Sequence, residues 1–219
     1  WVEIWNDVFM QYNHNEDGTF TELPKKNVDT GMGLERITAV LEGVTDNYAS
    51  SIWTDVIAKI EEISGLPYKG NEKAMRIIAD HIRSAAFVSA DPAGIKPSNT
   101  DQGYILRRLI RRAIRYAKKL NIDINSNWEE EIAITIMNKY EKYYTEIKEN
   151  RNVVLEVLKN EKIKFNRTLE KGLKEFEKIA SKIQDGKMDK DNAFRLYDTF
   201  GFPIELTVEL GAEMGIEVD

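Results

Sequence analysis

Apolar residues along this chain follow two different spacings. Residues 1–12 crowd Val, Ile, Trp, Phe and Tyr into one run, which predicts a β-strand. Asn13-His14-Asn15-Glu16-Asp17-Gly18 predicts a turn, because Asp-Gly favours positive φ. Residues 19–23 then predict a returning strand, Pro24-Lys25-Lys26 a loop, and residues 27–30 a short extended piece. From residue 33 to 42 the period becomes helical, with Leu34, Ile37, Val40 and Leu41 on one face.

After Gly43 the pattern is almost purely helical. Ser50 or Ser51 is placed to cap a helix that runs to Ile63 and stops at Ser64-Gly65-Leu66-Pro67. Asn71 opens the next helix, where Met75, Ile78, Ile82 and Ala85 share a face. Residues 90–100 hold Asp-Pro, Ala-Gly and Lys-Pro-Ser-Asn and predict a loop. Helices are then expected over 103–120 and 128–144. A long one follows over 150–183, either continuous or broken near Gly172. Its stripe of Val154, Leu158, Phe165, Leu169, Phe176, Ala180 and Ile183 reads as a packing face. Asp185-Gly186 ends it. A short helix over 192–199, a turn at Gly201-Phe202-Pro203 and a last helix to about Met214 complete the pattern. The change of character places a domain boundary near residue 43. The fold class is mainly α, preceded by the strands and one helix of an antiparallel or mixed sheet.

Composition narrows the chemistry. The 42% apolar content supports a sizeable core in 219 residues. The net charge of −6 means that any nucleic-acid contact must come from a local patch. Cysteine is absent, and the two histidines, His14 and His81, are far apart, so no zinc site is expected. No apolar run approaches the roughly 20 residues of a membrane span, and no signal peptide is visible. A cytoplasmic setting without membrane partners is expected. The chain opens inside a strand-like run without an initiator methionine, so it reads as the middle of a larger protein.

Two stretches carry candidate chemistry. In Asp29-Thr30-Gly31-Met32-Gly33-Leu34-Glu35-Arg36, the glycines at 31 and 33 remove side chains where a ligand would touch backbone. Asp29 is suited to an ammonium and Arg36 to a phosphate. The plainer alternative is a tight strand-to-helix connection. The second stretch is cationic. Arg107, Arg108, Arg111, Arg112, Arg115, Lys118 and Lys119 fall within an arc of about 140° at 100° per residue. Leu106, Leu109, Ile110, Ala113, Ile114, Ala117 and Leu120 fill the other side, and no acid lies between Arg107 and Leu120. That predicts a positive ridge for a polyanion. Pairing with acidic helices elsewhere in the chain is the alternative.

Taken in order, these pieces resemble the alanyl-tRNA synthetase family of class II synthetases. Residues 3–13 look like a strand of its catalytic domain, and residues 28–36 look like its version of class II motif 3. Ile78-Ala79-Asp80-His81-Ile82-Arg83-Ser84, Pro97-Ser98-Asn99 and residues 103–112 match its helical tRNA-recognition domain. Leu196-Tyr197-Asp198-Thr199-Phe200-Gly201-Phe202-Pro203 matches the end of that domain.

The resemblance implies ATP-dependent attachment of alanine to tRNA(Ala) through alanyl-adenylate, with ATP and Mg2+ as the reaction's cofactors. Asp29 would then bind the alanine ammonium, while Asn6 and Val8, two apart on a strand, would wall a small pocket. Gly31 would admit the ligand to the backbone. Gly33 and Arg36 would lie against ATP, with Arg36 on its γ-phosphate. Asn99 and Asp198 would read a G·U wobble pair in the acceptor stem, supported by Arg107, Arg108, Arg111, Arg112 and Arg115. On their residues alone, Asn99 could simply form a turn and Asp198 cap a helix.

Residues 1–43 would be the C-terminal part of the aminoacylation domain and 44–219 the recognition domain. Class II motifs 1 and 2 have no match, so the chain alone is expected not to activate alanine. No catalytic residue and no metal ligand is assigned. Gln102 stands where the family usually has an arginine, and the loop at 91–96 is longer than the family pattern. A stand-alone helical RNA-binding module is the competing expectation.

Overall fold

The computed structural model describes residues 2–219; Trp1, first in the predicted 1–12 strand, lies outside the described residues. The chain divides into two compact units, one ending at Asp55 and the other running Val56–Asp219.

The first unit is a hairpin and a short helix. Strands β1 (Trp5–His14) and β2 (Phe20–Met32) pair antiparallel. The turn between them is held by Asp17, whose carboxylate accepts from the Thr19 backbone N–H at 3.0 Å, with Gly18 at φ 83°. Pro24-Lys25-Lys26 corrects the predicted loop. It lies within β2, yet the ladder passes from Met10–Asn27 directly to Tyr12–Glu22. Residues 23–26 therefore oppose Gln11 alone and form a wide bulge, which accommodates a proline that cannot donate to the ladder. Helix α1 (Leu34–Leu41) follows. Its predicted apolar face is not a buried one: Leu34, Val40 and Leu41 are exposed, and Ala39 is buried. A 3-10 turn at Asn47–Ala49 precedes α2 (Thr54–Ser64). Neither Ser50 nor Ser51 stands at the start of that helix, which begins at Thr54; Ser50 Oγ donates to Asn47 O and Ser51 Oγ donates to Glu42 Oε1.

The second unit is helical: α2 from Val56 onward, then α3 (Glu72–Ala90), α4 (Asp101–Lys119), α5 (Trp128–Tyr140), α6 (Thr145–Glu149), α7 (Arg151–Ala180), α8 (Lys190–Phe200) and α9 (Ile204–Glu213). The face predicted for α3 is the core, with Met75, Ile78, Ile82 and Ala85 fully buried. It packs mainly on α4, and both meet α7. The predicted 128–144 helix stops earlier, at Tyr140. Tyr140 and Tyr144 each set an edge against Phe87, with centroids 5.2 and 5.0 Å from it. A two-residue parallel pairing of β3 (Lys187–Met188) with β4 (Glu217–Val218) ties the two ends of the α8–α9 segment together. No helix among the described residues is long and apolar enough to cross a membrane.

Helix α7 is continuous, so Gly172 is not a break. Its role is to make room. A Cβ at Gly172 would run into the ring of Phe202 and come within 3.1 Å of Phe200 Cβ. The turn after α8 lies on this face of α7, with Thr168 Oγ1 donating to Phe200 O at 2.8 Å. Phe202 is fully buried and stands edge-on to Phe165 at 5.7 Å between centroids. Gly172→Ala should therefore destabilise this unit. Overpacking a core costs about 1–3 kcal/mol, against roughly 1 kcal/mol returned by helix propensity. Thermal unfolding followed by circular dichroism would show a lower midpoint; a higher one would mean that Phe202 is free to move away.

Candidate functional site

The hairpin register brings four candidate residues to one face. Asn6 is opposite Gly31 and Val8 is opposite Asp29. Directly opposed residues share a face of the sheet, as do residues two apart on one strand. Asn6, Val8, Asp29 and Gly31 therefore form a contiguous exposed patch. Asn6 Nδ2 donates to Glu3 Oε1 at 3.0 Å. A Cβ at Gly31 would lie 3.4 Å from Asn6 Oδ1, so the glycine keeps the space above this patch open. Gly33 is the residue preceding α1 and has φ −77°, which any residue adopts; its backbone N–H donates to Ile4 O at 3.1 Å. Arg36 is exposed and its Nη1 donates to Glu3 O at 2.7 Å. The patch offers a carboxylate, an amide and a small apolar group, suited to a zwitterionic ligand, and Arg36 in α1 adds a guanidinium suited to a phosphate. No group of three or more His, Asp or Glu that could hold a metal is present among the described residues.

The cationic helix corrects the expectation of a free ridge. Every one of its seven cations pairs within the chain. Arg108 Nη1 meets Glu205 Oε1 at 2.5 Å, and Arg115 Nη2 meets Glu213 Oε2 at 2.5 Å. Arg112 grips Glu209 with two parallel bonds of 3.0 and 2.9 Å. Lys119 joins Glu213 at 3.0 Å, and Lys118 joins Glu170 at 2.9 Å. Arg111 donates from Nε to Glu161 Oε1 at 2.7 Å, and Arg107 Nε lies 3.5 Å from the same oxygen. Arg111 and Arg115 are buried. The physical reason is the spacing of the acids. Glu205, Glu209 and Glu213 stand four apart on α9, one turn each, opposite cations three or four apart on α4. Arg112 also donates to His81 Nε2 at 2.9 Å, which leaves Nδ1–H of that ring to donate to Asp80 at 3.0 Å.

The helix-start loop folds back at Gly103. Ser98 N donates to Gly103 O at 3.0 Å, and Ser98 Oγ donates to Thr100 O at 2.8 Å. A Cβ at Gly103 would run into Ser98 Oγ and Lys96 O. Ser98 thus forms the turn, and Asn99 is left at its exposed tip. Arg107 Nη1 donates to Asn99 Oδ1. Arginine only donates, so the amide oxygen faces Arg107 and the NH2 is unengaged among the described residues. Asp198 lies within α8, not at the start of α9, and is exposed. Among the described residues it has no side-chain hydrogen bond or ion pair.

Asn99 and Asp198 line one cleft of about 220 Å³, together with Tyr104, Arg107, Arg111, Tyr197, Gly201 and Pro203. Residues 99 positions apart thereby converge. The sequence does not single out Tyr104, Tyr197 or Glu161. Glu161 had a signal: it is a charged residue on the apolar stripe of α7, midway between Leu158 and Phe165. Burial pushes the Tyr104 hydroxyl up to about 12, helped by its bond to Glu205 at 2.7 Å.

The α4–α9 seam makes this unit acid-sensitive. Burial pushes the Glu209 carboxyl up. The bonds from Arg112 and Tyr116 and the charges of Arg112 and Arg115 overcome that and bring it down to about 2, from 4.5. Glu205 and Glu213 are lowered in the same sense, their bonds to Tyr104, Arg108, Arg115 and Lys119 outweighing burial. A depressed carboxyl stabilises the fold fully above 4.5 and loses that contribution as pH falls toward 2. Stability of this unit in urea should therefore decline steeply between about pH 5 and about pH 2. Glu209→Gln should cost about 2 kcal/mol near neutral pH and flatten that decline. An unchanged acid slope in the variant would show that Glu209 is not its source.

The family described as tRNA synthetases class II (A) matches residues 1–219. The alanine–tRNA ligase of Borreliella afzelii (strain PKo) is 46% identical over 222 residues, covering 100% of this chain and 37% of its own. That of Desulfitobacterium hafniense (strain Y51) is 44% identical, covering 100% of this chain and 25% of its own. That of Thermotoga maritima is 43% identical with the same two coverages. The chain thus spans 25% to 37% of the length of these curated relatives. By the match along its full length, the chain belongs to the class II (A) family of tRNA synthetases.

Proposed function

We propose that this chain is a segment of an alanine–tRNA ligase, which attaches alanine to tRNA(Ala) with ATP in the cytoplasm. Residues 1–43 are the C-terminal part of its aminoacylation domain, with motif 3, and residues 44–219 are its helical tRNA-recognition domain. The observation that carries this reading is the convergence of Asn99 and Asp198 on one cleft. An unengaged amide NH2 and an unengaged carboxylate lining one cleft suit the minor groove of an acceptor stem. The carboxylate accepts from the guanine amino group of a G·U pair, and the amide donates to an acceptor beside it. A-form RNA presents that groove wide and shallow.

On the hairpin, Asp29 would hold the alanine ammonium, Asn6 and Val8 would bound the methyl side, and Gly31 would leave room for the ligand. Gly33 and Arg36 would contact ATP, Arg36 by a charge-assisted bond to phosphate. Mg2+ would travel with the ATP phosphates. Large apolar side chains on both faces of the hairpin, Val8 and Phe9 among them, are exposed. This supports its placement within a larger sheet, where both faces are covered. Of the cationic residues, Arg107 and Arg111 line the cleft, whereas Arg108, Arg112 and Arg115 would serve RNA through the seam that positions it.

Two measurements test these assignments. Acceptor-stem duplexes differing only in G·U or G·C at the recognised pair should bind with different affinity, by roughly 1–2 kcal/mol. Asn99→Ala and Asp198→Asn should each erase the difference. Equal affinities in the unsubstituted chain would favour a helical module that binds RNA without reading the pair. In the whole ligase, Asp29→Ala should lower alanine activation by about 10- to 100-fold, the loss of one charged hydrogen bond. Activation unaffected by that change would remove Asp29 from the pocket.

A further inference from the structure

Two guanidiniums and one buried carboxylate connect the two walls of the cleft. Glu161 is 1% exposed, on the face of α7 that carries Phe165, Thr168 and Gly172. Its Oε1 accepts from Arg111 Nε at 2.7 Å and lies 2.5 Å from Arg111 Nη2. The remaining nitrogen of that fork, Nη1, donates to Gly201 O. Gly201 closes α8 in the left-handed conformation, φ 67°, three residues after Asp198. A Cβ at Gly201 would run into Arg111 Nη1, so this carbonyl and guanidinium approach only because the residue is glycine. On the other side, Arg107 Nε lies 3.5 Å from the same Glu161 oxygen. Its Nη1 holds Asn99 Oδ1 and its Nη2 reaches Pro97 O at 3.4 Å.

We propose that Glu161 is a positioning residue for RNA discrimination, which sets the separation of Asn99 and Asp198 by bonding Arg111 and holding the charge of Arg107 close to the same oxygen. This rests on the reading of Asn99 and Asp198 as the residues that recognise the G·U pair. The physical argument is charge balance. Two guanidiniums sharing a confined space repel unless an anion lies between them, and a buried charge without its partner moves or draws water in. Without the Glu161 charge, Arg107 and Arg111 separate. Arg107 releases the amide oxygen of Asn99, and Arg111 releases the end of α8. Asn99 then rotates freely, and its NH2 is no longer presented to the groove. The turn itself stays in place, because Thr168, Phe165 and the Gly172 seat for Phe202 hold it without charge.

The test uses this chain with Glu161→Gln, which keeps the shape and removes the charge. Affinity is measured for the two acceptor-stem duplexes, G·U and G·C, at one salt concentration. Preference for G·U should fall about fivefold or more, with affinity for the G·C duplex kept within about twofold, as expected for one lost directional contact. Glu161→Gln combined with Asn99→Ala should show no loss beyond Asn99→Ala alone, the signature of one shared unit. A purely structural role would weaken both duplexes equally and leave the preference intact, and that result overturns the proposal. If Glu161→Gln does not fold, Arg107→Lys provides the same readout, since an ammonium cannot hold Asn99, Pro97 and Glu161 together; retained preference there overturns it too. If the unsubstituted chain shows no preference, the recognition reading falls, and the role of Glu161 with it. If the chain shows a preference that survives both substitutions, only the positioning role falls.

Discussion

Charge pairing between α4 and the acids that face it is the constraint on which the helical unit depends. A helix with seven cations and no acid over 13 residues repels itself along its own length. It is stable here because Glu205, Glu209 and Glu213 repeat at the helical turn and between them meet Arg108, Arg112, Arg115 and Lys119, while Glu161 from α7 takes both Arg107 and Arg111. The opposite side of α4 is fully apolar and lies against α3 and α7, where Leu106, Ala113 and Ala117 are completely buried. Both sides of the helix are therefore interfaces. The chain order of the partners also fixes α9 alongside α4, since Glu205 meets Arg108 and Glu213 meets Lys119.

Much of this was legible in the sequence. Apolar residues at helical spacing mark α3, α4 and α7, because the cost of exposing a stripe leaves only one way to orient each helix. The candidate ligand face was legible in part. Asn6 and Val8 share a face from spacing alone, but the opposition of Asp29 to Val8 depends on pairing register. What was not legible depends on partners distant in sequence. Cations of α4 and acids of α9 are some 90 positions apart, and a run of like charge looks the same whether it faces water or another helix. Gly172 leaves a continuous helix and a broken one equally open, because propensity speaks only of the helix that holds it, whereas its role is set by Phe202. Tyr140 ends α5 for the sake of Phe87, another residue outside the local window.

Register also governs the hairpin. Side chains alternate between the faces of a strand, so a slip of one position would move Asp29 and Gly31 away from Asn6 and Val8. The bulge at residues 23–26 absorbs the extra length of β2 at one place, beyond the paired stretch from Trp5–Met32 to Met10–Asn27. The four candidate residues sit within that uninterrupted stretch.

The pairing of α4 has a further consequence for the proposed contact with RNA. A bare basic helix binds nucleic acid largely by releasing the ions condensed on the phosphates, a gain indifferent to sequence and quickly eroded by salt. Here the cations are already neutralised inside the protein, so an RNA bound as proposed would release few ions. Its binding would then depend on shape and on the few polar atoms left unengaged at the cleft. A surface of this kind would surrender grip on RNA in general and in return would not be held up on the wrong molecules.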